Sequence, residues 1–465
     1  MSNENDEKQT PVFNAGGLAV SRRGFMTAAA AVGVIGLGNG AKAESHKGPV
    51  RIGLIGAGGR GTGAAAQALS TKEDVQLVAI GDIFADRAAT CLANLRSIAA
   101  GDPNEESTEE KLAEREAFAA KLVVDEDKVY SGFDCYKEVL KHVDAVILAT
   151  PPGFRPEHFE AAVAADKHVF MEKPLATDAP GVRRVLKVAE LAVEKKLNVV
   201  VGLQRHYQAV YTGWVQKLHD GAIGDIVHSR VYWNSGGVWE PRMARGEEKS
   251  ELEYQIRNWY YYNWICGDHI AEQHIHNLDV GNWVNQAYPV TAYGQGGRQV
   301  RTDKRYGDIF DHHSIEFEYE NGAIMSSRCR HFPQTKNLVT EKFHGTKGSA
   351  PKPGEILDRS GKVIYAHRKR KGEKSPYQVE HDVLWSAVAE GRYQFADAEN
   401  GAYATLTAIM GRMATYSGQV ITWEDALNDE EQLVPQYMTS DSEPPTKPDA
   451  DGWYPRPMPG SREEV

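Results

Sequence analysis

Gly56-Ala57-Gly58-Gly59-Arg60-Gly61 follows the apolar run VRIGLI and opens the helix-forming run GTGAAAQALS. Glycines at this spacing let the chain turn tightly at Gly56, let the backbone approach a pyrophosphate at Gly58, and let a helix pack closely on a strand at Gly61. With Gly59 and Arg60 they make a loop whose helix start offers free N–H groups to phosphate. Asp82 ends the next apolar run, VQLVAIGD, 21 residues after Gly61. A carboxylate there accepts hydrogen bonds from a ribose 2′-OH and repels a 2′-phosphate. NAD is therefore the expected cofactor, with NADP the alternative.

Two more runs end in residues that could face such a cofactor, Thr150-Pro151-Pro152 and Met171-Glu172-Lys173-Pro174. Ligands of open α/β folds sit at the carboxyl ends of strands, which makes Thr150, Pro151, Glu172 and Lys173 the expected lining. The plainer readings are a strand-ending turn and a solvated ion pair.

A third constellation spans Gly267 to Asp279, GDHIAEQHIHNLD. On an α-helix, His269, Glu272 and His276 share one face, Gln273 lies beside them and His274 points away. That face could be a polar surface, a metal site of His269, Glu272 and His276, or an acid–base group facing Lys173. Upstream, Trp259-Tyr260-Tyr261-Tyr262-Asn263-Trp264 could stack on a sugar ring or pack a core. Trp264, His269 and Gln273 are the candidate substrate contacts.

The elements that must position these groups change style along the chain. Residues 48–205 alternate short Val/Ile/Leu-rich runs with helical stretches, the pattern of a doubly wound parallel sheet. An acidic segment, GDPNEESTEEKLAEREAFAAKLVVDEDK, interrupts it and reads as a solvated surface helix. Residues 206–427 carry alternating strands, HSRVYWN, VTAYGQGG, HSIEFEYENG, AIMSSRCR and LVTEKFHGTKG, followed by helices. They predict an α/β domain with an open, mostly antiparallel sheet. Residues 428–465 read as an extended Pro-rich tail.

At the other end, Arg22-Arg23 precedes an apolar Ala/Gly run and Ala41-Lys42-Ala43. Residues 1–43 are thus expected to be a twin-arginine signal, and the protein to be periplasmic or otherwise exported. The apolar run is too short to span a bilayer. A net charge of −11 argues against nucleic acid or an anionic membrane as partner. Cys91, Cys135, Cys266 and Cys329 have no metal spacing and read as buried small hydrophobes.

These motifs, with GLQRHYQ, HDGAIGDIV, HGTKGS and SGQVITWEDAL, resemble the glucose–fructose oxidoreductase, inositol dehydrogenase and MocA family from about Val50 to Asp425. The resemblance implies an N-terminal Rossmann domain, a C-terminal domain whose sheet mediates oligomers, and a small-molecule sugar, polyol or glycoside substrate. It places Lys173 near the nicotinamide and the reacting hydroxyl. It makes His276 the acid–base group, oriented by Glu272 where the family carries Asp. In TPPGFRPEH the histidine, His158, stands farther from the prolines than in the family form.

Export adds a constraint, because no NAD pool exists outside the inner membrane. A cofactor carried out inside a folded protein must be recycled in place. The expected activity is oxidation of a secondary sugar hydroxyl with tightly bound, internally recycled NAD(P). The alternatives are redox-neutral glycoside hydrolysis by oxidation and elimination, epimerisation, and non-catalytic sugar binding.

Overall fold

The computed structural model describes residues 48–101 and 108–460. The expected signal, residues 1–43, lies outside the described residues.

The first sheet has six strands, β1 (Val50–Ile55), β2 (Val75–Asp82), β3 (Val129–Ser131), β4 (Ala145–Leu148), β5 (His168–Met171) and β6 (Val199–Val201). Their order is β3-β2-β1-β4-β5-β6, all parallel. The strands are apolar on both faces because helices cover both. Strand order reverses between β1 and β4, which opens a crevice at their carboxyl ends. The acidic insertion forms a helix, Glu109–Lys121, capped by Thr108 and burying only Phe118.

The second sheet has nine strands: β7 (Ile226–Ser235), β8 (Thr291–Gly297), β9 (His312–Glu318), β10 (Ile324–His331), β11 (Leu338–Gly345), β12 (Gly348–Lys352), β13 (Glu355–Asp358), β14 (Val363–Ala366) and β15 (Ile421–Thr422). Its order is β14-β13-β12-β11-β7-β10-β9-β8-β15, antiparallel except for the β7–β10 pair. This is the expected fold class, a parallel Rossmann sheet joined to a mixed, mostly antiparallel α/β sheet.

Two late helices tie the sheets together. Pro376–Ala389 packs on the first sheet and on the glycine-loop helix, Gly59–Leu69. Ala398–Ser417 is buried along nearly its whole length against the β8–β9 region and the first domain's helix Ala179–Glu194. All four cysteines are buried and free. Among the described residues, no helix is long and apolar enough to cross a membrane.

Candidate functional site

At the crevice, the glycine loop is shaped by contacts a side chain would destroy. Gly56 has φ +95°, and a Cβ there would meet the Thr150 nitrogen at 2.4 Å. A Cβ on Gly61 would lie 1.9 Å from the Gly56 carbonyl oxygen, so the helix can approach the strand only with glycine. Gly58 and Gly59 differ, since a Cβ on either would enter open space. That space lies before a helix start with no side-chain cap. A pyrophosphate fits such a cradle, with unspent N–H groups pointing at it.

Asp82 holds the loop in place. Its carboxylate accepts from the Ala57 N–H at 2.7 Å and from the Phe84 N–H at 2.9 Å. Burial raises its pKa, and the two N–H bonds oppose the shift. Each oxygen keeps a lone pair for a ribose hydroxyl. Arg60 turns from the open cradle toward other side chains. Its guanidinium bonds Glu172 and Gln67, stacks on Tyr377 and lies 3.6 Å from the buried Glu380. What Arg60 leaves for a phosphate is its backbone.

The strand ends are joined by a residue that sequence reasoning missed. Arg155, fully buried, donates to the carbonyls of Leu148, Thr150 and Glu172, clamping the carboxyl ends of β4 and β5 together. The only sequence signal was an arginine directly before Pro156 in a helix start. Beside it, Thr150 Oγ1 lies 3.2 Å from His158 Nδ1. His158 packs between Tyr136 and Phe154, and burial, helped by Arg155, pushes its pKa down to about 3. Pro151, the next residue, is half-buried at the same edge.

Across the crevice, the face expected to gather His269, Glu272 and His276 is broken. Ile270–His274 is a π-helical turn, and the regular helix starts only at Ile275. A π-turn advances fewer degrees per residue than an α-turn, so positions seven apart lose their alignment. His269 is fully buried and bonded to Asp268 at 2.8 Å, away from the other two. The structure therefore does not draw His269, Glu272 and His276 together as one possible metal set. Glu272 also does not orient His276. Its carboxylate lies 3.2 and 3.3 Å from Lys173 Nζ, which also donates to the Glu272 main-chain carbonyl.

His276 lies on the buried side of the regular helix, its ring stacked on Trp233, with Nδ1 lacking a hydrogen-bond partner. Burial, with the Lys173 charge adding to it, holds its pKa well below the ordinary histidine range. The imidazole is neutral. Behind it, Arg205, Tyr211 and Asn277 all bond the buried Glu341, and His206 lies 2.7 Å from Asp279. Gln273 is half-buried beside Glu272.

The aromatic run is core. Tyr260, Tyr261, Tyr262 and Trp264 are at most 2% exposed. The Trp264 indole N–H donates to Gln255, and its ring meets Phe154 edge-on. In this packing the Trp264 ring is part of the core.

Comparisons with known proteins identify both domains. Residues 50–203 match the description "Oxidoreductase family, NAD-binding Rossmann fold", and residues 215–350 match "GFO/IDH/MocA C-terminal domain". The inositol 2-dehydrogenase of Serratia proteamaculans is 30% identical over 378 residues, covering 80% of this chain and 96% of that protein. The chain belongs to the GFO/IDH/MocA family of NAD(P)-binding oxidoreductases. It is also 29% identical over 274 residues to inositol 2-dehydrogenase 3 of Saccharopolyspora erythraea, and 32% over 235 residues to the inositol 2-dehydrogenase of Acidothermus cellulolyticus. Those matches cover 59% and 50% of this chain, but only 64% and 53% of those two proteins. Among solved structures, myo-inositol 2-dehydrogenase from Lactobacillus plantarum shares the fold at TM-score 0.57 and 20% identity. That match covers 80% of this chain and 99% of the other.

Proposed function

We propose that the protein oxidises a secondary hydroxyl of a sugar, glycoside or polyol, using NAD that stays bound and is recycled within the site by passing the hydride on to the carbonyl of a second sugar. The single observation that carries this reading is the meeting of Lys173, just past the carboxyl end of β5, with Glu272 from the second domain, on the turn that leads into the helix of His276. The names of the inositol dehydrogenase relatives support a polyol or sugar as substrate.

When bound, the nicotinamide supplies a hydride acceptor. His276, held neutral, takes the hydroxyl proton. The Lys173 ammonium donates a hydrogen bond to the oxygen as negative charge develops there, the interaction that usually contributes most to such a step. Glu272 holds Lys173 at the crevice. Gly58, Gly59 and the helix start would hold the pyrophosphate, and Asp82 would hold the ribose, which favours NAD over NADP. The arginine pair at Arg22-Arg23 supports export, and export supports a retained cofactor.

The test is to purify the full chain after secretion, without added nucleotide or tag, and record the ultraviolet band of reduced nicotinamide. Sugars, polyols and glycosides are then added one at a time. A bound band that rises and falls with particular substrates supports the reading, and a freed aglycone would favour hydrolysis instead. A protein that arrives empty and takes up free NAD overturns the closed cycle.

A further inference from the structure

Behind the crevice lies a second cluster that the reaction does not use. Gly267 and Asp268 both have positive φ, 77° and 69°, and reverse the chain just before the π-turn that carries Glu272. Asp268 is fully buried in that turn. Packed over it are β9 and β10, where His313 and Cys329 are directly opposite cross-strand partners and so project from the same face.

We propose that Asp268, His269, His313 and Cys329 bind a structural zinc ion, which fastens the turn before Glu272 to the second sheet. Ligand atoms of Asp268, His269 and His313 all lie within 4.8 Å of one another. Asp268 is 2.8 Å from His269 Nδ1 and 3.3 Å from His313 Nε2. Tetrahedral zinc, with bonds of about 2.0–2.1 Å, places neighbouring ligands about 3.4 Å apart.

The hydrogen bonding around His313 shows why a cation belongs there. In the tautomer that leaves the Thr415 hydroxyl donating to a helix carbonyl, His313 Nδ1 donates to that hydroxyl at 2.9 Å. The neutral ring then carries its lone pair on Nε2, facing a carboxylate oxygen at 3.3 Å. That nitrogen is buried without a hydrogen-bond partner. Two lone pairs facing each other in a dry interior need a positive charge between them.

Charge and donor type select the ion. A divalent cation with the Asp268 carboxylate and a Cys329 thiolate is neutral overall, which a buried site requires. Two imidazoles, one carboxylate and one thiolate suit zinc. Cys329, opposite His313 across the β9–β10 ladder, projects from the same face, so its side chain lies next to that of His313. The Asp268 carboxylate also accepts from the Tyr416 hydroxyl at 2.6 Å and the Phe310 N–H at 2.9 Å, the outer bonds that orient a ligating group. Four protein ligands leave no open position, so the ion holds the fold and does no chemistry.

The test is elemental analysis of the tag-free full chain, purified without chelator from medium with and without added zinc. The expected result is about one zinc per chain, with a melting temperature that falls on chelation and recovers when zinc alone is returned. Cobalt-exchanged protein should show a thiolate-to-cobalt charge-transfer band, absent in Cys329→Ser. His313→Gln should lose the metal. Less than about a tenth of an equivalent of any transition metal under both growth conditions overturns the proposal. Stoichiometric metal that survives in both variants overturns it as well, since the ion would then lie elsewhere. If the variants do not fold, the wild-type metal content and chelation response decide alone.

Discussion

Lys173 Nζ donates to the main-chain carbonyl of Glu272 at 2.5 Å and lies 3.2 Å from its carboxylate. One partner ends a strand of the Rossmann sheet, and the other sits on the π-turn of the second domain. The pair therefore joins the two halves of the crevice, and in the proposed reading it holds the ammonium toward a substrate oxygen. Burial raises the pKa of Glu272 and the Lys173 charge opposes the rise, leaving it above the ordinary range. A carboxyl shifted upward gains its proton earlier as pH falls, so it releases Lys173 earlier too. Wild-type turnover should fall on the acid side as this proton binds. Glu272→Gln should lower kcat about 10–100-fold and flatten that limb, with NAD affinity unchanged within about threefold. An acid limb that persists in Glu272→Gln would assign it to another group.

Removing the groups that act on the reacting hydroxyl should cost more. Lys173→Met and His276→Asn should each reduce kcat by about 10²–10⁴-fold. The dissociation constant for NAD, read by fluorescence titration, should stay nearly constant. Equal losses in turnover and NAD binding would place either residue in cofactor binding instead.

The glycine loop allows a sharper separation, because its glycines meet different surroundings. Gly58→Ala adds a methyl group to open space. The melting temperature should hold within about 2 °C while NAD binding weakens at least about tenfold, since the methyl occupies the phosphate cradle. Gly61→Ala forces a methyl group against the Gly56 carbonyl. It should lower the melting temperature by several degrees even without nucleotide. Calorimetry of the two variants, with and without NAD, checks both halves of the contrast.

Much of this arrangement was legible in the sequence. Continuous apolar runs marked β1, β2, β4, β5 and β6, and alternating ones marked β7 to β11, because burial on two faces or on one writes itself directly into residue order. The glycine loop and the Lys173 segment were legible because close backbone approach and strand ends have few solutions. What failed has physical reasons. β14 shows no buried face, so no alternation marks it. The parallel pairing of β7 with β10 is a long-range choice that leaves no local pattern. The π-turn shifted the helical phase between His269 and His276, which no 3.6-residue reading detects. Arg155 carried little signal because its partners are main-chain carbonyls, which leave no mark on residue type.

Asp82 holds the loop, and in the proposed reading the same carboxylate binds the ribose, so its variants should separate two properties. Asp82→Asn keeps an acceptor oxygen for the Ala57 or Phe84 N–H but removes the charge. The preference for NAD over NADP, measured as a ratio of dissociation constants, should shrink at least about tenfold as repulsion of a 2′-phosphate is lost. The melting temperature should change little. An unchanged ratio would mean that Asp82 acts on the loop alone.

His158 gives the fold a pH dependence whose sign is fixed by burial. Desolvation, with the Arg155 charge adding to it, lowers its pKa from the ordinary 6.5 to about 3 in the folded protein. Between those values the unfolded chain binds a proton that the folded chain refuses. Stability is therefore full above about pH 6.5 and declines as pH falls toward 3, by up to about 1.4 kcal/mol per pH unit from this group. His158→Gln keeps a polar partner for Thr150 Oγ1 and cannot titrate. At pH 7.5 the variant should be equal to or slightly less stable than wild type. Between pH 7.5 and pH 5 it should lose about 2 kcal/mol less unfolding free energy than wild type, measured by urea titration at each pH. Parallel pH profiles for the two proteins would show that His158 titrates alike in the folded and unfolded states and that the pH dependence lies with another group.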